Sequence, residues 1–177
     1  MPIPLNSARG YSARGFQRGK GAGAGLAARM KKRAILLGCA GSIGRSSLDV
    51  LDGLADEWDV AGLATGSRGE VLTQLARRYR PRGVALANSQ RVEEVRAGLP
   101  PDVRLFHGPA AAVELLDAVE CDCVIAAIAG AASLPATLRA VELGRRVALA
   151  NKESLVMAGE LLMALARRTG AEIIPVD

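Results

Sequence analysis

From Arg33 onward, short apolar runs alternate with longer segments of helical periodicity, and this alternation restricts the fold more than any other feature. "RAILL" (33–37) reads as a strand, and "SIGRSSLDVLDGL" (42–54) as a helix with Ile43, Val50, Leu51 and Leu54 along one face. "WDVAGLAT" (58–65) is a strand again. The pattern continues with helix 71–79, strand 83–87, helix 89–99, strand 103–106, helix 110–119 and strand 121–130. It closes with helix 133–144, strand 145–150, helix 154–170 and strand 172–176. In helix 133–144, Ser133 is the expected N-cap, Pro135 falls in the first turn and Gly144 marks the end. Strands that are apolar throughout must be covered on both sides. The expected fold is therefore α/β, a Rossmann-like doubly wound, mostly parallel sheet with helices on both faces.

The 177 residues divide by charge. Residues 1–33 carry eight Lys or Arg and no acid, which leaves fifteen bases against eighteen acids in the remainder. The basic character thus belongs to residues 1–32, read as a disordered Gly/Ala/Arg-rich extension, while 33–177 form one domain. An upstream start with Met30 as the natural initiator, a transit peptide and an RNA-binding arm are the alternatives for that extension. Charged residues interrupt every apolar run, so no membrane span is expected, and a cytoplasmic location is the default with plastid-type targeting left open. Cys39, Cys121 and Cys123 lack C-x-x-C spacing, and His107 is the single histidine, so no thiol metal site is expected. Cys121 and Cys123 are read as small hydrophobes on one side of a strand.

The first strand-to-helix turn is "LLGCAGSIGRSS", with glycines at 38, 41 and 44. A dinucleotide pyrophosphate needs such a turn: no Cβ in its way, and free N–H groups at the positive end of a helix. The G-x-x-G-x-x-G spacing is displaced from the commoner G-x-G-x-x-G, and a glycine turn that only packs a helix closely is the competing reading. Ser42 is a hydroxyl donor at the helix start or an ordinary N-cap. At the end of the second strand, "ATGSRGE" places Gly66, Ser67 and Arg68 where an NAD site carries an acid. A 2′-phosphate is repelled by an acid and attracted by Arg68, which favours NADP(H) over NAD(H), unless Arg68 is simply a solvated surface residue.

"GCAGSIGRSSLDVL", "AAIAGAASLPATLRAVELG", "LANKESLVMAG" and "IIPVD", taken in one register, resemble the N-terminal part of 1-deoxy-D-xylulose 5-phosphate reductoisomerase. The resemblance implies an NADPH enzyme of non-mevalonate isoprenoid biosynthesis. Such an enzyme isomerises a ketose phosphate and reduces the product to 2-C-methyl-D-erythritol 4-phosphate, with Mg²⁺, Mn²⁺ or Co²⁺ and usually as a homodimer. By the same resemblance Ala40, Gly41, Ser42 and Ile43 cradle the pyrophosphate, and Gly66, Ser67 and Arg68 surround the adenosine phosphate. Asn151 and Glu153 stand beside the nicotinamide and its ribose, Lys152 is the substrate-contacting and catalytic lysine, and Asp177 is the first metal-ligating carboxylate. The implied partner is a small phosphosugar, with neither a membrane nor a specific nucleic acid.

Two departures qualify the resemblance. Cys39 and Ala40 replace the Ser-Thr of most relatives, removing a hydroxyl from the phosphate turn. Relatives also continue beyond the position of Asp177 into further metal carboxylates, a lid and a helical domain. One carboxylate does not complete an octahedral oxygen site, so the chain is expected to bind NADPH without turning over by itself. A non-catalytic NADP(H)-binding module is the alternative, and an unrelated NADP-dependent dehydrogenase a weaker one.

Overall fold

The computed structural model describes residues 30–176. The basic extension up to residue 29 and the proposed metal ligand Asp177 lie outside the described residues. Seven strands and six α-helices alternate along the described residues: β1 Lys32–Leu37, α1 Ser42–Gly53, β2 Trp58–Thr65, α2 Gly69–Tyr79, β3 Gly83–Leu86, α3 Val92–Gly98, β4 Arg104–His107, α4 Ala111–Ala118, β5 Cys123–Ala126, α5 Leu134–Glu142, β6 Arg146–Leu149, α6 Lys152–Thr169 and β7 Ile173–Pro175. The sheet runs β4-β3-β2-β1-β5-β6-β7, and every pairing is parallel.

Crossover handedness explains where the helices lie. The chain steps outward from β1 to β4, returns across the sheet to β5, and steps outward again to β7. Right-handed connections that reverse direction must change face. Accordingly Leu48 and Leu51 of α1, Leu72 and Ala76 of α2 and Val95 of α3 pack with Ala34 and Leu36 on one side. Leu115 of α4, Val141 of α5 and Leu162 of α6 pack with Ile35 and Leu37 on the other. The direction changes between β1 and β5, and the crevice of a doubly wound sheet opens at that switch point. No helix among the described residues is long and apolar enough to cross a membrane.

Several local expectations are corrected. The core stripe of α1 is Gly44, Leu48 and Leu51, whereas Ile43, Val50 and Leu54 are exposed at 45%, 62% and 40%. Close seating of Gly44 on the preceding turn fixes the rotation of α1, against the count of large apolar residues. The apolar run 121–130 is strand only from Cys123 to Ala126, because its last tie to β1, Ala127 N–H to Leu37 O at 2.8 Å, falls where β1 ends. Cys121 therefore precedes the strand and is half-buried, while Cys123 is buried within it. Segment 89–99 splits into a 3₁₀ turn, Ser89–Arg91, and α3. The last helix begins at Lys152 and bends at Ala158, whose φ of −144° is non-helical.

Between α1 and α2, Asp52 accepts from the Tyr79 hydroxyl at 2.9 Å and from Arg78 Nη2 at 2.6 Å. Burial first, and the Asp52 carboxylate second, push the Tyr79 phenol up to about 12. An unfolded phenol ionises near pH 10, so above that pH the unfolded chain releases a proton that the folded chain still holds. The Tyr79 contribution is therefore present below about pH 10 and is lost as pH rises through about 12. In a Tyr11→Phe background, which leaves Tyr79 as the single tyrosine, phenolate absorbance is expected to titrate well above the ordinary range. Asp52→Asn should bring that titration down toward it.

Candidate functional site

Three glycines shape the turn between β1 and α1, each for a different reason. Gly38 has a φ of +91°, and a Cβ there would lie 2.5 Å from the Ala127 carbonyl oxygen. No other residue fits that position without moving backbone. At Gly44 a Cβ would run into the Gly38 carbonyl and the Cys39 backbone, so the first turn of α1 rests directly on the loop. Gly41 is different: it caps α1 with φ −76° and ψ 173°, and a Cβ there would meet only Gly38 O, at 3.4 Å. That is ordinary contact. The fold does not require glycine at 41, and an open approach above the turn is the remaining use of one.

The turn is pinned by the Gly38 and Cys39 N–H groups, both donating to Ala64 O at 2.9 Å, and by Gly41 N–H to Gly38 O at 3.0 Å. The first bond along α1 is Arg45 N–H to Gly41 O at 3.1 Å, so the amides of Ser42, Ile43 and Gly44 precede the hydrogen-bonded ladder at the positive end of the helix. Ser42 is the first helical residue and does not cap it; the cap is Gly41, with no side-chain bond. Cys39 is fully buried among Ala34, Leu36 and Leu48, and burial pushes its thiol up to about 12. Its side chain belongs to the core, so Ala40 alone marks the missing hydroxyl.

Across from the turn stands the tip of β2. Arg68 Nη1 donates to Ala40 O at 2.8 Å and ties the two loops together. The nearest acid in the sequence, Glu70, is paired with Arg91 at 3.1 Å, so Arg68 sets the charge of this edge. Between the loops lies a cleft of about 250 Å³, lined by Gly38, Ala40, Gly41, Gly66, Ser67, Arg68 and the loop Ala127, Ile128 and Ala129. A more apolar cavity of about 630 Å³ adjoins it, sharing Thr65, Gly66, Ser67 and Ile128 and walled by Ala85, Pro109, Ala112, Ala132 and Pro135.

The structure thus joins Ala40, Gly41, Gly66, Ser67 and Arg68 in one cleft; Ser42, Ile43, Lys152 and Glu153 line neither cavity. Lys152 and Glu153 are exposed in the first turn of α6. Asn151 is buried; its Oδ1 caps α6 by accepting from Ser154 N–H at 3.1 Å, and its Nδ2 faces Ile128 O at 2.5 Å. Ser133 stands at the N-cap position of α5, as expected, but makes no capping bond, since its hydroxyl turns inward to Gly130 O at 3.0 Å. Sequence reasoning missed the wall formed by 127–130, which it read as strand. It also missed Ser133 and Ser154 as polar groups of the site's support, although Asn151 three residues before Ser154 carries the spacing of a helix cap.

The family model of 1-deoxy-D-xylulose 5-phosphate reductoisomerase matches residues 34–159. The chain belongs to that family. It is 44% identical over 146 residues to the reductoisomerase of Anaeromyxobacter sp. (strain K), covering 82% of this chain and 37% of that protein. Among solved structures, the Zymomonas mobilis reductoisomerase in complex with NADPH is similar at a TM-score of 0.79 and 35% identity, over 84% of this chain and 39% of that one. A reductoisomerase in complex with NADPH, fosmidomycin and magnesium is similar at a TM-score of 0.75 and 35% identity, over 81% and 36%. The chain thus spans under two fifths of the length of these family members.

The glycines give a test that needs no ligand. Gly38→Ala is expected to destabilise the chain by about 2–4 kcal/mol, since it adds a strained φ to a backbone clash. Gly41→Ala should stay within about 1 kcal/mol. Urea unfolding of the two variants checks the difference; equal losses would mean that Gly41 also serves the fold.

Proposed function

We propose that residues 33–177 are the NADPH-binding unit of a 1-deoxy-D-xylulose 5-phosphate reductoisomerase. In the complete protein this unit would serve the conversion of that ketose phosphate to 2-C-methyl-D-erythritol 4-phosphate. One observation carries the reading: a glycine turn at the switch point of the sheet, with Gly41 free of any demand from the fold, opens onto a cleft whose far wall ends in Arg68. The NADPH complexes of structurally similar family members support it.

The residues present fit the dinucleotide. Ala40, Ser42 and Ile43 offer backbone N–H groups and the helix dipole to the pyrophosphate, and Gly41 leaves the approach to them open. Gly66, Ser67 and Arg68 take the adenosine phosphate, with the adjoining apolar cavity as room for the nucleoside. Arg68 holds Ala40 O through Nη1, and its Nε and Nη2 remain the groups offered to a 2′-phosphate. Bound NADPH supplies a hydride. Glu153 borders the nicotinamide ribose, Lys152 contacts the phosphosugar and favours negative charge developing on its oxygen, and Asn151 holds the wall of the cleft. A divalent metal is not fitted by the described residues, because no group of three His, Cys, Asp or Glu side chains comes together among them.

Titration of the 177-residue chain, followed by NADPH fluorescence, should show tighter binding of NADPH than of NADH by about ten- to a hundredfold, with the gap narrowing as salt rises. Gly41→Val should abolish binding with the fold retained, and Arg68→Ala should remove the preference for NADPH. Equal affinity for the two cofactors, or unchanged affinity in Gly41→Val, would overturn the assignment. NADPH oxidation with 1-deoxy-D-xylulose 5-phosphate and Mn²⁺ distinguishes an enzyme from a binding module; where turnover occurs, Lys152→Ala should depress it far more than it weakens NADPH.

A further inference from the structure

Beneath the cleft lies a buried polar cluster that joins residues 128–133 to the start of α6. Ser133, Asn151 and Ser154 are at most 4% exposed. Ser133 Oγ stands 2.7 Å from Ser154 Oγ and 3.0 Å from Gly130 O. Asn151 Nδ2 lies 2.6 Å from Ser133 Oγ, 2.5 Å from Ile128 O and 3.0 Å from Gly130 O.

Counting hydrogens gives an arrangement that satisfies every group. The Ser133 hydroxyl donates to Gly130 O and accepts from Ser154 and Asn151, and the second Asn151 hydrogen goes to Ile128 O. Ser133 is the junction: both its lone pairs and its proton are used. The loop it holds forms the wall of the candidate site, since Ala127, Ile128 and Ala129 line the glycine cleft and Ile128 lines the apolar cavity. Backbone bonding between Gly130 and Ser133 is weak by comparison, a single N–H to O contact at 3.3 Å.

We infer that Ser133 is a positioning residue for cofactor binding: through Asn151 it sets the Ile128–Gly130 loop at the spacing from the glycine turn that a dinucleotide needs. This rests on the NADPH reading above. A polar junction suits that task because hydrogen bonds are directional, whereas small apolar loop side chains such as Ala127 and Ala129 tolerate sliding.

The test compares Ser133→Ala with Thr169→Val in the 177-residue chain. Thr169 also ties α6 to α5, donating to Val141 O at 2.7 Å, but it sits at the opposite end of α6, about 25 Å away at 1.5 Å per residue. Both variants should lose stability in urea. Only Ser133→Ala should weaken NADPH, by about tenfold, and shift the ¹H–¹⁵N resonances of Ile128–Ala132 before cofactor is added. Ser154→Ala, which removes one donor from the junction, should do the same to a smaller degree, and it decides the matter if Ser133→Ala does not fold. Wild-type affinity with unshifted loop resonances would overturn the inference. If the wild-type chain itself fails to bind NADPH, the cofactor reading falls, and the loop resonances alone then support or overturn the positioning.

Discussion

Two backbones meet at Gly38, and the carboxyl edge of the sheet is arranged around that meeting. The Ala127 carbonyl occupies the space where a side chain on Gly38 would stand. On the opposite flank, Gly44 brings the first turn of α1 against the same residue's carbonyl. Three chain segments therefore converge at a distance that only glycine permits, at the point where the strand order reverses. A cleft arises there because β1 and β5 are neighbours whose onward chains leave to opposite faces, α1 to one side and α5 to the other. The geometry that makes helix packing tight is the same geometry that leaves amides and space above the turn.

The second wall of the cleft is held differently. Residues 127–130 leave the sheet once the ladder with β1 ends, and polar side chains below take over from backbone pairing. Burying Ser133, Thr137, Asn151 and Ser154 is costly unless each finds partners. They do: among the described residues no buried side-chain nitrogen or oxygen lacks one. Thr137 donates to Ser133 O at 3.0 Å, so the first turn of α5 belongs to the same unit. One wall is set by steric contact and the other by directional bonds, and the ligand space is what lies between.

Much of this was legible in the sequence, and the exceptions share a cause. Strand 58–65 and the helix from Ser42 follow from periodicity, and the G-x-x-G-x-x-G spacing located the turn, because these signals are local. Rotation of α1 was not legible. Ile43, Val50 and Leu54 give an apolar stripe as convincing as the one containing Leu48 and Leu51, and the deciding contact is a missing Cβ at Gly44 against another segment. The strand end at Ala126 is set by the end of β1, which the run "CVIAAIAG" does not contain. Ser133 reads locally as a cap, whereas its hydroxyl is claimed by residues 18 and 21 positions away. In each of these three cases the deciding contact comes from a segment that the local pattern does not contain.

The opening of α6 shows why "NKES" reads as chemistry and behaves partly as architecture. Of its four residues, Asn151 and Ser154 are buried and bonded inward, while Lys152 and Glu153 are exposed. The fully buried apolar positions, Leu162 and Ala166, come two turns or more later, beyond the bend at Ala158, and Leu155 packs only part-buried against the core at this end. The first turn is fixed in addition by the Asn151 cap and the Ser154 bond to Ser133. A helix start held by such bonds presents the two intervening residues in one orientation, whatever the remainder of α6 does. The spacing polar-in, charged-out, charged-out, polar-in is thus what turns Lys152 and Glu153 outward at the carboxyl edge.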